Sequence, residues 1–509
     1  MTELQQGGQR KEPESGVSPD IKIQYNSLLH ENLRHVFVRT VDDEYYVRVL
    51  SFRNNLYKEI FPESVPLFSF VLPADAPIYM EGYQMLSHIG GTASRPVQLG
   101  RMNEQKDLRV LKNIASDAVG FNYMLVKIDS FWYLLGAVSC ERTYISFRLK
   151  NCSVEVFWEM SGAGVAPRSE FSGEKICLLT SSDRQELLDR YGALVARSHR
   201  PRRSSPVSGW CSWYAYYDKV TQQDVLENLD LMKNDWPELE YLQIDDGYQI
   251  HMGDWMIPSD RFTGGLEALC EKIRAAGRKP GIWVAPFIAS GDSLMFRQHP
   301  DWFVQGPRNR PLAARDVTYG GWRDGAWYMP DFSVSEARDY ISEVFSWFRH
   351  RLGIDYFKLD ALFWGAIPGM KFRRQGMTAC EHFRLGMSAI RKAVGEDSYI
   401  LGCNAPLWPS LGLFEAQRVT DDVERRSARI HEQKTQADAR SWMSGRLWFN
   451  DVDCMVHSGV SREDAKILED MLLESRGPML VGDALADAGE RMHDLARRWR
   501  DSVSRPRGL

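Results

Sequence analysis

The sequence predicts a multidomain protein in which an antiparallel β-sandwich precedes a (β/α)8 TIM barrel. At 509 residues the chain is longer than one ordinary domain. From about residue 22 to 181, short segments rich in β-branched and aromatic residues are separated by turns, which is typical of a β-sandwich. From residue 208 onward, apolar strand-like runs alternate with helical patterns about eight times, as in a closed barrel of parallel strands.

Changes in composition along the chain predict the domain boundaries. Residues 1–20 are polar and charged, and we expect them to be disordered. The β-sandwich domain is expected at 21–198 and is followed by a basic, Pro- and Ser-rich linker at 199–207. The barrel is expected at 208–495, and residues 496–509 form a polar C-terminal tail.

The individual elements of both domains follow in chain order. The sandwich strands are expected in HVFVRTVDDEYYVRVLSF, LFSFVLPA, YMLVKIDSFWYLLGAVS and TYISFRLKNCSVEVFWEM, before a helix in RQELLDRYGALVARS. The barrel strands are expected in GWCSWYAYY, YLQIDDGYQ, KPGIWVAPF, DYFKLDAL, SYILGCNAP, LFEAQRVTDDV, RLWFNDVDCMV and GPMLVGDAL. The barrel helices are expected in QQDVLENLDLMKND, GLEALCEKIRAAG, EARDYISEVFSWFRHRLG, CEHFRLGMSAIRKAVG and EDAKILEDMLLESRG. The fifth unit has no clear helix, and the excursion at 288–334 is too long for an ordinary loop, so we expect it to shape a pocket.

Charge, hydropathy and cysteine usage narrow the class of protein. A net charge of −5 and a pI near 6.2 do not favour nucleic acid as a partner. No apolar run approaches the roughly 18 to 20 residues of a membrane span, and the N-terminus has no apolar stretch typical of a signal peptide. The eight cysteines are scattered without a CxxC pair, which indicates free thiols and a cytoplasmic location. Sixteen Trp and twenty Tyr suit sugar binding, although large barrels and sandwiches are also rich in aromatic residues.

The carboxyl ends of the predicted barrel strands carry a ring of acidic, basic and aromatic side chains. In a TIM barrel these ends hold the active site. The residues found there are Trp213, Asp245, Asp246, Trp283, Lys358, Asp360, Cys403, Arg418, Asp422, Asp451, Asp453 and Asp483. Clustered carboxylates repel one another unless cations or a ligand compensate them, so this ring indicates a functional site.

The segments YFKLDAL and QRVTDDV each supply a candidate catalytic carboxylate. Lys358 and Asp360 are two apart on a strand, so their side chains point to the same side. If that side is the barrel interior, the ammonium keeps Asp360 ionised, as a nucleophile requires; the alternative is a Lys–Asp pair that closes the barrel top. Asp422 follows Arg418 by four residues, where the chain leaves the barrel, and can turn towards a leaving group. Asp421 could take its place if the loop were shifted by one residue, and ion pairing of Asp422 with the nearby arginines 425 or 426 is the structural alternative.

Three further features have both functional and structural interpretations. Asp245 and Asp246 can enter one pocket only if the chain bends, which Gly247 permits. They could then bind sugar hydroxyls, cap the strand, or hold a divalent metal, although no third ligand accompanies them. Trp213 and Trp283 could wall the pocket or belong to the core. Cys403 has no His in an evident partner position, so a thiol nucleophile is not favoured.

Seven segments, taken together and in order, resemble the α-galactosidases of glycoside hydrolase family 36 and, more distantly, family 27. They are GWCSWYAYY, LQIDDGYQ, GIWVAPF, HPDW, YFKLD, QRVTDDV and FNDVDCM, and the similarity runs from about residue 208 to 485. EGYQMLS at 81–87 resembles the family's N-terminal β-supersandwich domain. The resemblance implies a retaining hydrolase of terminal α-D-galactosyl residues that acts on small carbohydrates and needs no metal or organic cofactor.

The resemblance also implies a role for each matching residue. Asp360 would be the nucleophile and Asp422 the acid/base. The implied substrate-binding residues are Asp245 and Asp246 at the 4- and 6-hydroxyls, Lys358 at the 3- and 4-hydroxyls, Arg418 and Cys403 near the 2-hydroxyl, Trp283 beside the ring, and Trp213 and Asp453 elsewhere in the pocket.

Two departures from the family pattern leave alternatives open. The run Cys403-Asn404-Ala405-Pro406 replaces a Cys-Gly-Cys-Pro type run beside the sugar C2 substituent, so an α-N-acetylgalactosaminidase is an alternative to an α-galactosidase. The family's usual C-terminal β-domain is expected to be absent or truncated here. Galactosyl transfer, as in raffinose-synthase-like relatives, a non-catalytic sugar-binding protein and a purely structural barrel are further alternatives. Relatives commonly form tetramers, so a homo-oligomer is possible.

Overall fold

The computed structural model describes residues 24–25, 33–39, 46–108, 115–160, 162–202, 204–323 and 325–504. The expected disorder of residues 1–20 therefore lies outside the described residues. No helix in these ranges combines the length and the apolarity that crossing a bilayer requires.

The described N-terminal half forms two antiparallel sheets. Its strands are β1 (Gln24–Tyr25), β2 (Leu33–Arg39), β3 (Tyr46–Arg53), β4 (Ser64–Val71), β5 (Ile78–Glu81), β6 (His88–Thr92), β7 (Arg95–Gln98), β8 (Ala118–Phe121), β9 (Tyr123–Ile128), β10 (Phe131–Ala137), β11 (Tyr144–Lys150), β12 (Ser153–Glu159) and β13 (Glu170–Ser181), with helices α1 (Glu104–Asp107) and α2 (Arg184–His199). One sheet has the order β1-β4-β12-β11-β8, and the other has the order β2-β3-β13-β10-β9-β5-β6-β7. Phe68 and Phe70 of β4 face Met124 and Val126 of β9 across a narrow apolar gap, as inner faces of packed sheets do.

The C-terminal half contains eight parallel strands that follow one another in chain order. They are β14 (Ser208–Cys211), β15 (Tyr241–Ile244), β16 (Lys279–Val284), β19 (Tyr356–Leu359), β20 (Tyr399–Gly402), β21 (Ala416–Arg418), β22 (Phe449–Asp451) and β23 (Met479–Val481). The sheet runs β23-β14-β15-β16-β19-β20-β21-β22, and a parallel bridge between Met455 and Val481 brings its two ends together. This order is consistent with a (β/α)8 barrel.

Helices separate most of these strands. They are α3 (Trp213–Tyr216), α4 (Gln222–Asp235), α5 (Leu266–Ala275), α6 (Leu294–Gln298), α7 (Ala314–Val317), α8 (Ser335–Ser346), α9 (Ala379–Val394), α10 (Ser427–Arg440), α11 (Arg462–Ser475) and α12 (Gly489–Ser504). A capping box begins α4, where Thr221 and Asp224 satisfy each other's backbone N–H groups. Strands such as β15 and β19 are buried at every residue, as parallel strands covered by helices are.

The expected elements and the observed ones agree closely in the barrel half. Seven of the eight strands lie inside their predicted segments, and β14 begins one residue earlier, at Ser208. The fifth unit contains a short 3-10 turn, Trp408–Ser410, where a helix would be expected in a barrel. GWCSWYAYY is a strand only as far as Cys211, since α3 begins two residues later. The excursion at 288–334 holds α6, α7 and a two-stranded ribbon of β17 (Ala289–Ser290) and β18 (Trp327–Tyr328). Helix α10 was not predicted, and α12 continues across the boundary expected at 495.

The two halves share one continuous hydrophobic core. Tyr123 of β9 packs against Trp408 and Trp442 of the barrel half, with ring centroids 5.5 and 5.6 Å apart. Beside them, Glu81 and Arg440 form a fully buried ion pair of 2.6 Å. The sandwich is thus fixed against the barrel.

Candidate active site

A cavity of about 460 Å³ opens at the carboxyl ends of the barrel strands. Its walls are formed by Leu86, Arg101, Met102, Asp107, Trp213, Asp245, Asp246, Trp283, Tyr319, Trp322, Lys358, Asp360, Asn404 and Asp422. Seven of the ten site residues expected from the sequence are among them. The other three, Cys403, Arg418 and Asp453, are buried. The first four wall residues come from the sandwich half, which closes one side of the cavity.

Asp360 follows directly after β19 and is held by neighbouring N–H donors. Its own N–H donates to the Val284 carbonyl over 2.9 Å, which fixes the backbone to β16. The indole Nε1 of Trp283 donates to Oδ2 over 3.1 Å, and the N–H of Ala361 donates to Oδ1 over 2.6 Å. These donors hold the carboxylate in place on the wall of the cavity.

Lys358 does not pair with Asp360 as the sequence predicted. Its Nζ lies 2.9 Å from Oδ2 of Asp245, and both side chains are almost fully buried. Burial lowers the pKa of Lys358, but the charge of Asp245 and the neighbouring Cys211 and Cys403 together outweigh burial, so the pKa is raised well above its usual value. Lys358 and Asp360 both line the cavity, but the ammonium pairs with Asp245, which follows β15.

Asp422 faces the same cavity in a different electrostatic environment. Its side chain is 48% exposed and accepts a hydrogen bond from Arg418 Nη1 over 3.3 Å. Loss of bulk solvent raises the pKa of Asp422 to about 7, with the charge of Asp453 adding to the rise and that of Arg418 opposing it. A carboxyl group with this pKa can carry a proton at neutral pH.

The neighbouring Asp421 is turned away from the cavity. It is 1% exposed, and its carboxylate pairs with Arg101 over 2.5 Å and with Arg429. The N–H of Asp422 donates to Asp421 Oδ1 over 2.8 Å, so this buried carboxylate also shapes the turn that presents Asp422. The alternative assignment to Asp421 is therefore not supported, and Asp422 pairs with Arg418 rather than with Arg425 or Arg426.

Arg418 lies behind Asp422 at the centre of a buried ionic cluster. Its guanidinium contacts Asp451 over 2.7 Å and Asp453 over 2.6 Å, in addition to Asp422. Burial lowers the pKa of Arg418, but the two buried carboxylates reverse this, and the pKa is raised well above its usual value. Asp453 also accepts a hydrogen bond from the Val423 N–H over 2.7 Å. In the structure, Arg418 and Asp453 hold the loop of Asp422 through these contacts, and their expected proximity to the sugar stays a prediction.

Asp245 and Asp246 both reach the cavity because the chain bends after them. Gly247 has φ +124°, a conformation that L side chains rarely adopt. Asp246 accepts hydrogen bonds from Gln249 over 2.7 Å, Arg323 over 2.6 Å and Trp322 over 3.1 Å. Burial raises the pKa of Asp246 to about 6, and the charge of Arg323 opposes the rise. Within the described residues no group of three His, Cys, Asp or Glu side chains is arranged to hold a metal ion.

The excursion at 288–334 supplies site residues that the sequence did not identify. Tyr319 and Trp322 line the cavity while remaining partly exposed, and Arg323 pairs with Asp246. Trp283, by contrast, is almost fully buried and meets Trp322 edge to face at 6.1 Å. The high content of Trp, Arg and Gly in this excursion pointed to a pocket, but not to individual residues.

Cys403 is buried, and burial raises the pKa of its thiol well above its usual value. A thiol held neutral in this way is a poor nucleophile. Its neighbour Asn404 lines the cavity instead.

A family model and several known proteins are similar to this chain. The family model described as Melibiase matches residues 187–390. An α-galactosidase of Escherichia coli is 30% identical over 129 residues, which cover 24% of this chain and 17% of that protein. A probable α-galactosidase C of Aspergillus oryzae is 25% identical over 264 residues, covering 48% of this chain and 32% of that protein. The chain thus matches less than a third of the length of these curated relatives.

Solved structures share the fold over almost the whole chain. An α-galactosidase of Thermus thermophilus, in complex with p-nitrophenyl α-D-galactopyranoside, has a TM-score of 0.69 at 23% identity, covering 93% of this chain and 95% of that one. A GH36 α-galactosidase of Geobacillus stearothermophilus has a TM-score of 0.63 at 13% identity, covering 96% of this chain and 74% of that one. The resemblance drawn from the sequence motifs is confirmed: residues 187–390 match the family model described as Melibiase.

Proposed function

We propose that this chain is a retaining glycoside hydrolase that releases terminal α-D-galactosyl residues from small carbohydrates by double displacement. The observation that carries the proposal is the pair of carboxyl groups in one cavity. Asp360 is held by N–H donors, whereas the pKa of Asp422 is raised to about 7. One charged and one protonated carboxyl group are what the two roles of a retaining glycosidase require.

In the first step, Asp360 attacks the anomeric carbon as the bond to the leaving oxygen breaks. Asp422 delivers its proton to that oxygen, and the sugar is left as an ester of Asp360. In the second step, Asp422, now ionised, removes a proton from water. The water oxygen bonds to the anomeric carbon, the ester bond breaks, and Asp360 is released as a carboxylate.

The remaining cavity residues would hold the sugar. Asp245 and Asp246 offer acceptors for its hydroxyl groups, and Lys358, which lines the cavity while paired with Asp245, offers a donor. Trp283 and Trp213 provide flat apolar walls. Arg418 would act through Asp422, because its guanidinium is already bound by carboxylates. The relative from Thermus thermophilus was solved with an aryl α-galactoside and with stachyose, which supports a galactoside as the sugar.

A panel of aryl α- and β-glycosides of galactose, N-acetylgalactosamine and glucose tests the proposal. We expect turnover of the α-galactoside. Faster turnover of the α-N-acetylgalactosaminide would identify the protein as an α-N-acetylgalactosaminidase instead. Transfer of galactose to an added sugar rather than to water would identify it as a galactosyl-transferring enzyme. Hydrolysis of none of the glycosides would favour a non-catalytic sugar-binding protein.

The nucleophile is tested by Asp360→Ala. We expect this variant to lose turnover and external azide to restore part of it, giving a β-galactosyl azide, since azide attacks from the side that Asp360 has vacated. Asp292→Ala is the matched control, because Asp292 lies just before α6, its side chain is 62% exposed, and it pairs with Arg297 over 2.9 Å. If Asp360→Ala turned over substrate at the wild-type rate, Asp360 could not be the nucleophile.

A further inference from the structure

The hydroxyl group of Tyr214 is buried behind the cavity wall and donates a hydrogen bond to Asp453. Tyr214 belongs to α3, which follows β14, and the residue is 5% exposed. Its neighbour Trp213 lines the cavity, whereas Tyr214 is not part of the lining. The hydroxyl donates to Oδ2 of Asp453, which follows β22. A buried hydroxyl needs a partner, and this bond joins the loop after the first barrel strand to the loop after the seventh.

Both carboxylate oxygens of Asp453 are bound by donors. Oδ1 accepts the N–H of Cys454 over 2.7 Å and lies 2.6 Å from Arg418 Nη2. Oδ2 accepts the N–H of Val423 over 2.7 Å and the hydroxyl of Tyr214. Tyr214 supplies the side-chain donor to Oδ2, so a substitution can remove its hydroxyl while both backbone bonds remain.

Asp453 acts on Asp422 in two ways. It holds the N–H of Val423, the residue that follows Asp422. Burial raises the pKa of Asp422 to about 7, and the charge of Asp453 adds to the rise, whereas that of Arg418 opposes it. A hydrogen-bond donor offsets part of the charge of the carboxylate that accepts it. Removal of the Tyr214 hydroxyl is therefore expected to strengthen the effect of Asp453 on Asp422.

Charged and titratable groups from several other elements also face Asp422. They are Arg418 at the end of β21, Asp421 in the same turn, Asp360 after β19, Cys403 after β20, Tyr319 in the excursion at 288–334, and Asp453 and Tyr214 themselves. Tyr214→Phe keeps the aromatic ring and leaves all the other groups in place. A change in the titration of Asp422 in this variant therefore reports on the hydroxyl.

We propose that Tyr214 is a positioning residue for the acid/base, because its hydroxyl holds Asp453 in place and offsets part of the negative charge that Asp453 presents to Asp422. The inference rests on the proposed function and adds to it a residue that does not line the cavity. Without the hydroxyl, Asp422 should keep its proton to a higher pH.

The pH dependence of kcat/KM for an aryl α-galactoside tests the proposal in Tyr214→Phe. We expect the alkaline limb to move to higher pH by about half a unit, less than the roughly one to three units that a neighbouring full charge causes. The matched control is Tyr399→Phe, because Tyr399 is a buried barrel tyrosine whose hydroxyl has no hydrogen-bond partner among the described residues. The limb of the control should stay at the wild-type pH. A limb in Tyr214→Phe that stays in place or moves to lower pH would overturn the proposal.

Asp453→Asn shows whether the hydroxyl acts through Asp453. Loss of the carboxylate charge should move the alkaline limb to lower pH, since Arg418 then acts on Asp422 with less opposition. Addition of Tyr214→Phe to Asp453→Asn should cause no upward shift, because the charge that the hydroxyl offsets is gone. Equal upward shifts in both backgrounds would mean that the hydroxyl does not act through Asp453, and would overturn the proposal.

Carbon-13 NMR of protein labelled at the aspartate carboxyl carbons follows the titration of Asp422 without substrate. The resonance that is missing in Asp422→Asn identifies Asp422. If the wild type turns over no glycoside but this resonance titrates at higher pH in Tyr214→Phe, the hydrolase proposal fails, while the control of Asp422 by Tyr214 stands. If the wild type hydrolyses the galactoside but the resonance titrates at the same pH in both proteins, the hydrolase proposal stands and the Tyr214 proposal is overturned.

Discussion

At the scale of single residues, two adjacent aspartates show how the environment sets a role. Asp421 and Asp422 have the same side chain, but Asp421 is buried between Arg101 and Arg429, whereas Asp422 lines the cavity. Burial and the charge of Asp453 raise the pKa of Asp422 to about 7. Two aspartates that are adjacent in the chain therefore have different surroundings, and only Asp422 is placed to act on a ligand in the cavity.

This environment predicts the alkaline limb of the pH–activity profile. A proton donor is active below its pKa, so kcat/KM is expected to fall as the pH rises through about 7. Asp422→Asn should remove this limb and lower turnover of substrates with poor leaving groups by about 10²- to 10⁴-fold, with a smaller loss on activated aryl galactosides. The measurement is the pH dependence of kcat/KM on both substrate types. An unchanged alkaline limb in Asp422→Asn would show that another group donates the proton.

At the scale of elements, the excursion at 288–334 covers the vicinal aspartates. Trp322 and Arg323 reach Asp246 from this excursion, and Arg323 forms an ion pair of 2.6 Å with that buried carboxylate. Without Arg323 the charged form of Asp246 loses its compensation, since burial already raises its pKa to about 6.

We therefore expect Arg323→Met to raise the KM for an aryl α-galactoside at pH 7 about tenfold or more, because a larger fraction of Asp246 becomes protonated and loses acceptor capacity. The control is Arg297→Met on α6 of the same excursion, whose pair with Asp292 is more than 60% exposed on both sides. Steady-state kinetics at pH 7 and pH 5 measure the effect. Equal KM values for the two variants would contradict a role for Arg323 in the site.

The sequence predicted the barrel elements well and the elements around the site less well. The barrel strands are continuous apolar runs, and helices such as α4 and α9 have clear apolar faces, so local patterns were sufficient. Helix α10 was missed because its buried face is polar: Gln433 and Gln436 bind the backbone of Asp421. The excursion at 288–334 has no helical or strand-like hydrophobic periodicity, so its sequence did not indicate that Trp322 and Arg323 contact Asp246.

At the scale of the whole molecule, the sandwich completes the cavity and is anchored to the barrel by a buried ion pair. Arg101, which belongs to the sandwich half, forms an ion pair with Asp421, the residue next to Asp422. Glu81 of the segment EGYQMLS pairs with Arg440, which also donates to the carbonyls of Met85 and Ser87. The segment EGYQMLS indicated the sandwich domain but not the ion pair between Glu81 and Arg440. These two residues are 359 positions apart, and a single sequence does not show which distant residues are in contact.

Removal of this anchor should destabilise the protein strongly. Glu81 and Arg440 are both fully buried, so Arg440→Met leaves a carboxylate without its cation and is expected to cost about 3–5 kcal/mol. Lys466→Met breaks a surface pair with Asp470 and should cost less than about 1 kcal/mol. Urea unfolding of the two variants beside the wild type measures the difference. Similar midpoints for all three would contradict an anchoring role for the pair.

The stereochemistry of the first product tests the central claim most directly. Two carboxyl groups that share one sugar, one as nucleophile and one as proton donor, predict two inversions at the anomeric carbon. Proton NMR during the first minutes of hydrolysis of an aryl α-galactoside should therefore show α-galactose before mutarotation forms the β anomer. Initial appearance of β-galactose would mean a single displacement by water, and would contradict the role of Asp360 as nucleophile.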